Sequence, residues 1–527
     1  ASADPLATKA CLAILAAGGN AFDAALCGSM ILAVTLPMSC GIGGDGVFLC
    51  WDAKNRVSRS INALGIVPAN TDPIRSFLLL NSKRLADGSP SIPPKTGMLT
   101  ASVPALPYGW ESLSQMCSLA IEDIARPAIS LARDGFLPDA KFRRWAAANF
   151  SVFRDDPYLV AMFGSFAGTT SGNESALLKQ PELADFLDLF SRTVRDENPS
   201  WRDTFIAEVV GASNSGGGAM NDSDFLAPLL AQASFPVTLD INNTTVLSSG
   251  ATTQGYLALL AAKMIGESLK SGRSEILGAA KVFHALYCDK SISLGDRGVN
   301  QELWLQEKVR TAHSLAQDAE KLDFRTISGS SDFSSGDTTQ FYTVDDRGNA
   351  VCGIQSLSLA FGSGKSAPPL GLIFNSRLGR GISLKSTAPN ALISHSRPVN
   401  TIFPILGVRD GGLHFLGGSP GGDIQVQINA QAVRLLATEG SLDRWPKSGR
   451  WKYGPVADVF DPSYVERPTI IFECEVETTL RTELESAGLV VSCQNDVGGN
   501  ARYGYVSADG RFNALDEGRD GGLSAII

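Results

Sequence analysis

The sequence predicts an α+β protein in which helices pack on both faces of stacked sheets. Apolar residues at helical spacing come in groups, over Pro5–Ala17, Ala21–Thr35 and much of 104–230. Extended, β-branched and aromatic runs also come in groups, joined by turn sequences such as Asp345–Asn349 and Arg409–Gly412. Hydrophobic residues at 44% and charged residues at 19% suit a chain with a substantial core. Strands grouped with strands and helices with helices favour separate layers over a strictly alternating parallel sheet.

In chain order, Leu6, Ala10, Ile14 and Ala17 share one helix face, and Gly18-Gly19-Asn20 stops that helix. A second helix, rich in Ala, runs from Ala21 to Thr35 and ends before Pro37. Val47–Trp51 and Val57–Asn62 read as strands around the turn Ala53-Lys54-Asn55. Ile121–Leu131 keeps helical spacing despite Pro127, and Tyr158–Phe163 and Leu183–Phe190 add short helices. Thr238–Leu247 reads as one strand, Tyr256–Ile265 as a helix and Trp304–Leu322 as a long helix. Phe341–Val344 and Ala350–Leu357 form a hairpin, as do Thr401–Val408 and Leu413–Gly417. Gln425–Thr438 reads as a helix, and Tyr503–Val506 with Gly510–Ala514 as a last strand pair.

Composition narrows the function. The 527 residues make one large domain or two to four ordinary ones. A net charge of −9 argues against nucleic acid or an anionic membrane as partner. No apolar run reaches membrane-spanning length, and no signal-peptide pattern is visible at Ala1. Nine cysteines without CxxC spacing point to a reduced, cytoplasmic protein. His284, His313, His395 and His414 are scattered, so no metal or other cofactor is expected. The glycine-rich run Gly41–Gly46 leads into a strand and lacks a P-loop lysine, which disfavours a phosphate role.

The stretch Ser334–Gly364 carries the chemistry. A Ser/Gly/Asp-rich run feeds Thr338 and Thr339 into the first strand of a hairpin. If the Asp337–Thr338 bond is cut, the new α-amine of Thr338 can act as base for its own hydroxyl. An α-amine titrates at about 8, close to the operating pH. A plain Thr-Thr pair entering a strand is the alternative, and from this stretch alone the better one.

Further blocks shift that balance. Pro5-Leu6-Ala7-Thr8, Gly18–Ala25, Gly41–Gly46, Thr338-Thr339, Asp345–Val351, Phe361–Gly364 and Gly418-Ser419-Pro420-Gly421-Gly422 stand in the order found in the γ-glutamyltransferase family of N-terminal-nucleophile hydrolases, which the chain resembles over nearly its whole length. The resemblance implies a four-layer αββα sandwich. It also implies one compact domain cut into fragments 1–337 and 338–527, which stay associated; higher oligomers are left open. Thr338 would be the nucleophile, with Asp337–Thr338 the cleavage site and Thr339 its neighbour. Ser356 would support the nucleophile's hydroxyl, and Gly421 and Gly422 would form the oxyanion hole. Gln340 stands where the family usually has His.

The glutamyl-recognition positions differ from the family's. Leu64 stands where an arginine would hold the substrate α-carboxylate. Arg377 and Arg380 occupy or flank positions that are amide or acidic in the family, while Ser358, Asn400 and Thr401 complete the substrate-binding candidates. Two cations there would repel an ammonium and attract a carboxylate; a solvated loop is the bland alternative for both. The expected activity is acyl hydrolysis or transfer on a small molecule other than a γ-glutamyl compound. Segments 375–384 and 389–404 resemble cephalosporin-acylase-like members. They also resemble homologues of alkylproline antibiotic pathways, so cleavage of a carbon–carbon bond to release an oxo-acid fragment is an alternative. An unprocessed homologue with only a binding role is another.

Overall fold

Two large antiparallel sheets stand at the centre of the computed structural model, which describes all residues except 85–89, 169–175, 251, 269–274, 297–300, 311–323, 325–337, 444, 446–449, 455–467, 520 and 527. Their strands are β1 (Asp45–Asp52), β2 (Val57–Ala63), β3 (Gln232–Ser234), β4 (Val237–Ile241), β5 (Thr244–Ser248), β6 (Thr339–Val344), β7 (Ala350–Ser356), β8 (Ile405–Arg409), β9 (Gly412–Gly418), β10 (Arg502–Val506) and β11 (Phe512–Asp516). The first sheet has the order β3-β2-β1-β7-β6 and the second β11-β10-β9-β8-β5-β4. Both sheets therefore draw strands from either side of residue 338.

Alternation along the strands sets the layers. Leu49, Trp51, Tyr342, Ala350 and Cys352 of the first sheet pack against Leu247, Leu406 and Leu416 of the second. On the opposite face of the first sheet, Phe48, Cys50, Ile61, Phe341 and Val351 join the core of the N-terminal helices. These include α1 (Pro5–Ala16), α2 (Ala21–Thr35), α3 (Ile121–Asp134) and α4 (Pro181–Thr193). The outer face of the second sheet, through Leu239, Val246, Ile405, Phe415 and Tyr503, packs on another helical layer. That layer holds α5 (Gly255–Ser268), α6 (Glu275–Ser293) and α7 (Gln425–Glu439). The arrangement is the expected four-layer αββα sandwich.

Local chemistry explains the main elements. Asn20 caps α2 by accepting from the Phe22 and Asp23 amides, and Asp23 reaches back to the Asn20 amide. The Asp345 carboxylate accepts from the Arg347 and Asn349 amides within its turn, and from the Ala21 amide at the start of α2. That contact docks the β6–β7 hairpin onto the helix.

The expected single strand over Thr238–Leu247 is a hairpin, β4–β5. Asn242 and Asn243 turn it with φ of 46° and 61°, the left-handed geometry of a tight hairpin turn. Of the helix expected over Trp304–Leu322, Gln301–Arg310 is helical and 311–322 lies outside the described residues. Asp337 also lies outside them. Helix α6 and a small sheet of Trp451–Gly454, Thr469–Phe472 and Val490–Cys493 had no counterpart in the sequence reading. Among the described residues, no helix is long and apolar enough to cross a membrane.

The glycine-rich turn before β1 shows why glycine is needed there. A Cβ on Gly43 would lie 2.0 Å from the Ile373 carbonyl oxygen. Gly43→Ala is expected to cost about 1–3 kcal/mol or more, as overpacking does. Gly211→Ala, on the Ser200–Ser215 helix with open space around it, should be neutral or slightly stabilising. Denaturant unfolding of the two variants checks the contrast.

Candidate active site

The first sheet brings the proposed nucleophile to its support. Antiparallel pairing of β6 with β7 sets Thr339 opposite Gln355. Thr338, directly ahead of β6, therefore reaches Ser356 at the end of β7. The Thr338 hydroxyl donates to Ser356 Oγ at 3.3 Å, and the Ser358 amide donates to the same oxygen at 2.9 Å. Thr338, Thr339, Ser356 and Ser358 are all buried. Ser358 holds φ of 79°, a left-handed conformation that is uncommon for a residue other than glycine, and its buried hydroxyl has no partner among the described residues. Such strain persists only where surrounding contacts enforce it.

The oxyanion-loop candidates come from the second sheet. Strand β9 ends at Gly418, next to the Gln340 side chain of β6, and Ser419-Pro420 then leads into Gly421-Gly422. Gly421 and Gly422 have φ of 136° and 61°, so neither position suits a side chain. A 3₁₀ turn over Gly422–Ile424 opens directly into α7, placing these amides at a helix N-terminus.

Asp423, the next residue, is a hub. Its Oδ1 accepts from Lys290 Nζ at 2.6 Å and Gln254 Nε2 at 2.8 Å, and its Oδ2 accepts from Arg380 Nη2 at 3.1 Å. Its backbone carbonyl accepts from Tyr287 Oη at 3.1 Å. Burial would raise the Asp423 pKa, but the neighbouring Lys290 and Arg380 charges outweigh it and bring the value down to about 2.

Arg377 and Arg380 are buried, which removes the solvated-loop alternative. Arg377 Nε donates to Asp45 Oδ2 at 3.0 Å, and Asn400 Nδ2 donates to the same oxygen at 2.8 Å. The other Asp45 oxygen accepts from the Gly65 amide at 2.7 Å. Arg380 Nη1 donates to the Ser358 carbonyl at 3.3 Å. Lys290, Arg377 and Arg380 thus face Asp45 and Asp423, an excess of one positive charge within the cluster. Leu64 packs among Val47, Ile354 and Ile402, in an apolar cluster rather than at a polar subsite. Asn400 braces Asp45 and donates its amide to the Thr252 carbonyl, so its visible role is structural. Thr401 follows it and is buried.

The sequence reading overlooked Asp423, Lys290 and Gln254, and saw Asp45 only as part of a glycine-rich turn. For Asp423 a signal was present: an acidic residue directly after Gly-Gly at a helix start, where its charge suits the dipole. Lys290 sits in a helix with no clean polar face, so its buried pairing had no sequence signature.

Comparison with known proteins establishes the family and the fold. The family model for gamma-glutamyltranspeptidase matches residues 7–526. A glutathione hydrolase-like YwrD proenzyme of Bacillus subtilis is 27% identical over 458 residues, 85% of this chain and 83% of that protein. The glutathione hydrolase proenzyme of Escherichia coli is 26% identical over 475 residues, 84% and 79% of the respective chains. The crystal structure of cephalosporin acylase from Bacillus halodurans superposes with a TM-score of 0.80 at 22% identity, covering 97% of this chain and 92% of that one, which shows a shared fold. The chain therefore belongs to the gamma-glutamyltranspeptidase family and is an N-terminal-nucleophile hydrolase or acyltransferase.

Proposed function

We propose that the protein cleaves itself before Thr338 and then hydrolyses or transfers an acyl group from a small anionic amide that is not γ-glutamyl. The observation that carries the reading is the Thr338 hydroxyl donating to Ser356 Oγ at the head of a central-sheet strand. In maturation, Thr338 Oγ attacks the Asp337 carbonyl carbon and the acyl group moves from nitrogen to oxygen. Water then hydrolyses the ester and leaves a free α-amine on Thr338. In turnover, that amine accepts the hydroxyl proton as Oγ attacks the substrate carbonyl. The Gly421-Gly422 segment supports the developing oxyanion. The amine then delivers the proton to the leaving nitrogen, and water or an acceptor amine releases the acyl group. The two fragments stay together throughout.

Substrate preference follows from the charges. Leu64 supplies no charge for an α-carboxylate, and the net positive cluster around Arg377 and Arg380 opposes an ammonium. The same excess favours a carboxylate on the acyl group.

Two outcomes test the reading. Denaturing electrophoresis and mass analysis of purified protein should show two fragments, the smaller beginning Thr338-Thr339-Gln340, while Thr338→Ala remains one chain. Full activity in uncut wild-type protein would sink the N-terminal-amine mechanism. For specificity, γ-glutamyl-p-nitroanilide and glutaryl-p-nitroanilide differ only by the ammonium. The glutaryl compound should have the higher kcat/KM by about 10-fold or more, which is about 1.4 kcal/mol for the one ammonium that the net positive cluster opposes. Preference for the γ-glutamyl compound would refute the assignment.

A further inference from the structure

A continuous line of contacts joins the oxyanion-loop candidates to the nucleophile's support. From α6, Lys290 holds Asp423, which directly follows Gly421-Gly422. Asp423 holds Arg380, Arg380 holds the Ser358 carbonyl, the Ser358 amide holds Ser356 Oγ, and Ser356 Oγ receives the Thr338 hydroxyl. The two ends of the line belong to different sheets. Each end also needs restraint. Gly421 and Gly422 carry no Cβ and can turn their peptides at little cost, which would point an amide away from the reacting oxygen. Ser358 is held in a left-handed conformation that it would leave if its carbonyl were released.

Asp423 acts on both ends. Lys290, Gln254 and Tyr287 fix its side chain and its carbonyl, and so fix the residue that follows the glycine pair. Its second carboxylate oxygen orients Arg380, whose other nitrogen reaches Ser358. Arg380 thus has both terminal nitrogens engaged within the protein.

We propose that Asp423 is a positioning residue that, through Arg380, locks the Gly421-Gly422 loop and the Ser356–Ser358 support of Thr338 into one register. The proposal rests on Thr338 being the nucleophile. It assigns Asp423 no contact with substrate, so its loss should appear in kcat and should not raise KM.

The test uses the whole purified protein after cleavage before Thr338, with both fragments of every Asp423 and Arg380 variant verified by denaturing electrophoresis, and glutaryl-p-nitroanilide as substrate. Asp423→Asn should lower kcat by about 100-fold, the scale of losing one oriented oxyanion donor, with KM no more than about 3-fold above wild type. Asp423→Glu, which retains the charge, should recover part of the loss. Asp423→Asn leaves Lys290 charged and buried, so the double variant Lys290→Met with Asp423→Asn carries the measurement if the single variant does not fold. Arg380→Lys provides an independent arm: it keeps the charge but cannot span Asp423 and Ser358 together, and should lower kcat by about 10-fold or more. Thr338→Ala is measured alongside. Activity surviving in Thr338→Ala removes the nucleophile reading itself. An inactive Thr338→Ala, together with near-wild-type kcat in a folded Asp423 variant or in Arg380→Lys, removes only the positioning role. A loss confined to KM also overturns it.

Discussion

Asp45 is a carboxylate with no exposed surface, and it joins segments that lie far apart in the sequence. One oxygen receives the Gly65 amide, and the other receives Arg377 Nε and Asn400 Nδ2. Arg377 is 332 residues away, so this contact exists only when both segments have folded. A buried ion pair contributes little net stability compared with an apolar substitute, but losing one partner costs about 3–5 kcal/mol because the other charge is stranded. Asp45 also sits opposite Ser356 in the β1–β7 ladder. The carboxylate that anchors Arg377 is therefore next to the residue that supports Thr338.

The two buried acids divide the site between them. Asp45 organises the β1–β7 ladder and the loops carrying Arg377 and Asn400, while Asp423 organises the start of α7 and Arg380. Both are close to glycines that permit the backbone to approach. A Cβ on Gly44 would lie 2.5 Å from the Ser356 carbonyl oxygen, and Gly421-Gly422 precede Asp423. Glycine allows the approach and a buried carboxylate then fixes the loop, a division of labour that appears in both central sheets.

What could be read from the sequence follows the range of the interactions. Helices α1 and α2 were legible because their apolar spacing and the Asn20 cap are local. The β6–β7 hairpin was legible from Asp345–Asn349, whose turn is closed by its own carboxylate. The β4–β5 hairpin was read as one strand because Asn242-Asn243 lies between β-branched runs and contains no glycine. The candidate nucleophile, its serine and the glycine pair came from resemblance to a family. The partners of Arg377 and Arg380 did not, because no local spacing brings residue 45 to 377 or residue 423 to 380. The same gap left the solvated loop open as a description of two arginines that are buried.

Strand β6 lies at the edge of the first sheet, whose interior is the ladder between β1 and β7, while β5 and β8 adjoin within the second. These ladders join residues before 338 to residues after it. A break in the main chain just ahead of β6 would therefore be mechanically silent: it would open no ladder, and the parts would remain sewn together by hydrogen bonds in two separate sheets. Neither part alone could close its sheets, since each would present bare strand edges where the other belongs. For a chain cut there, folding in one piece before the cut would be the favoured order, because separately made halves would carry adhesive edges until they met.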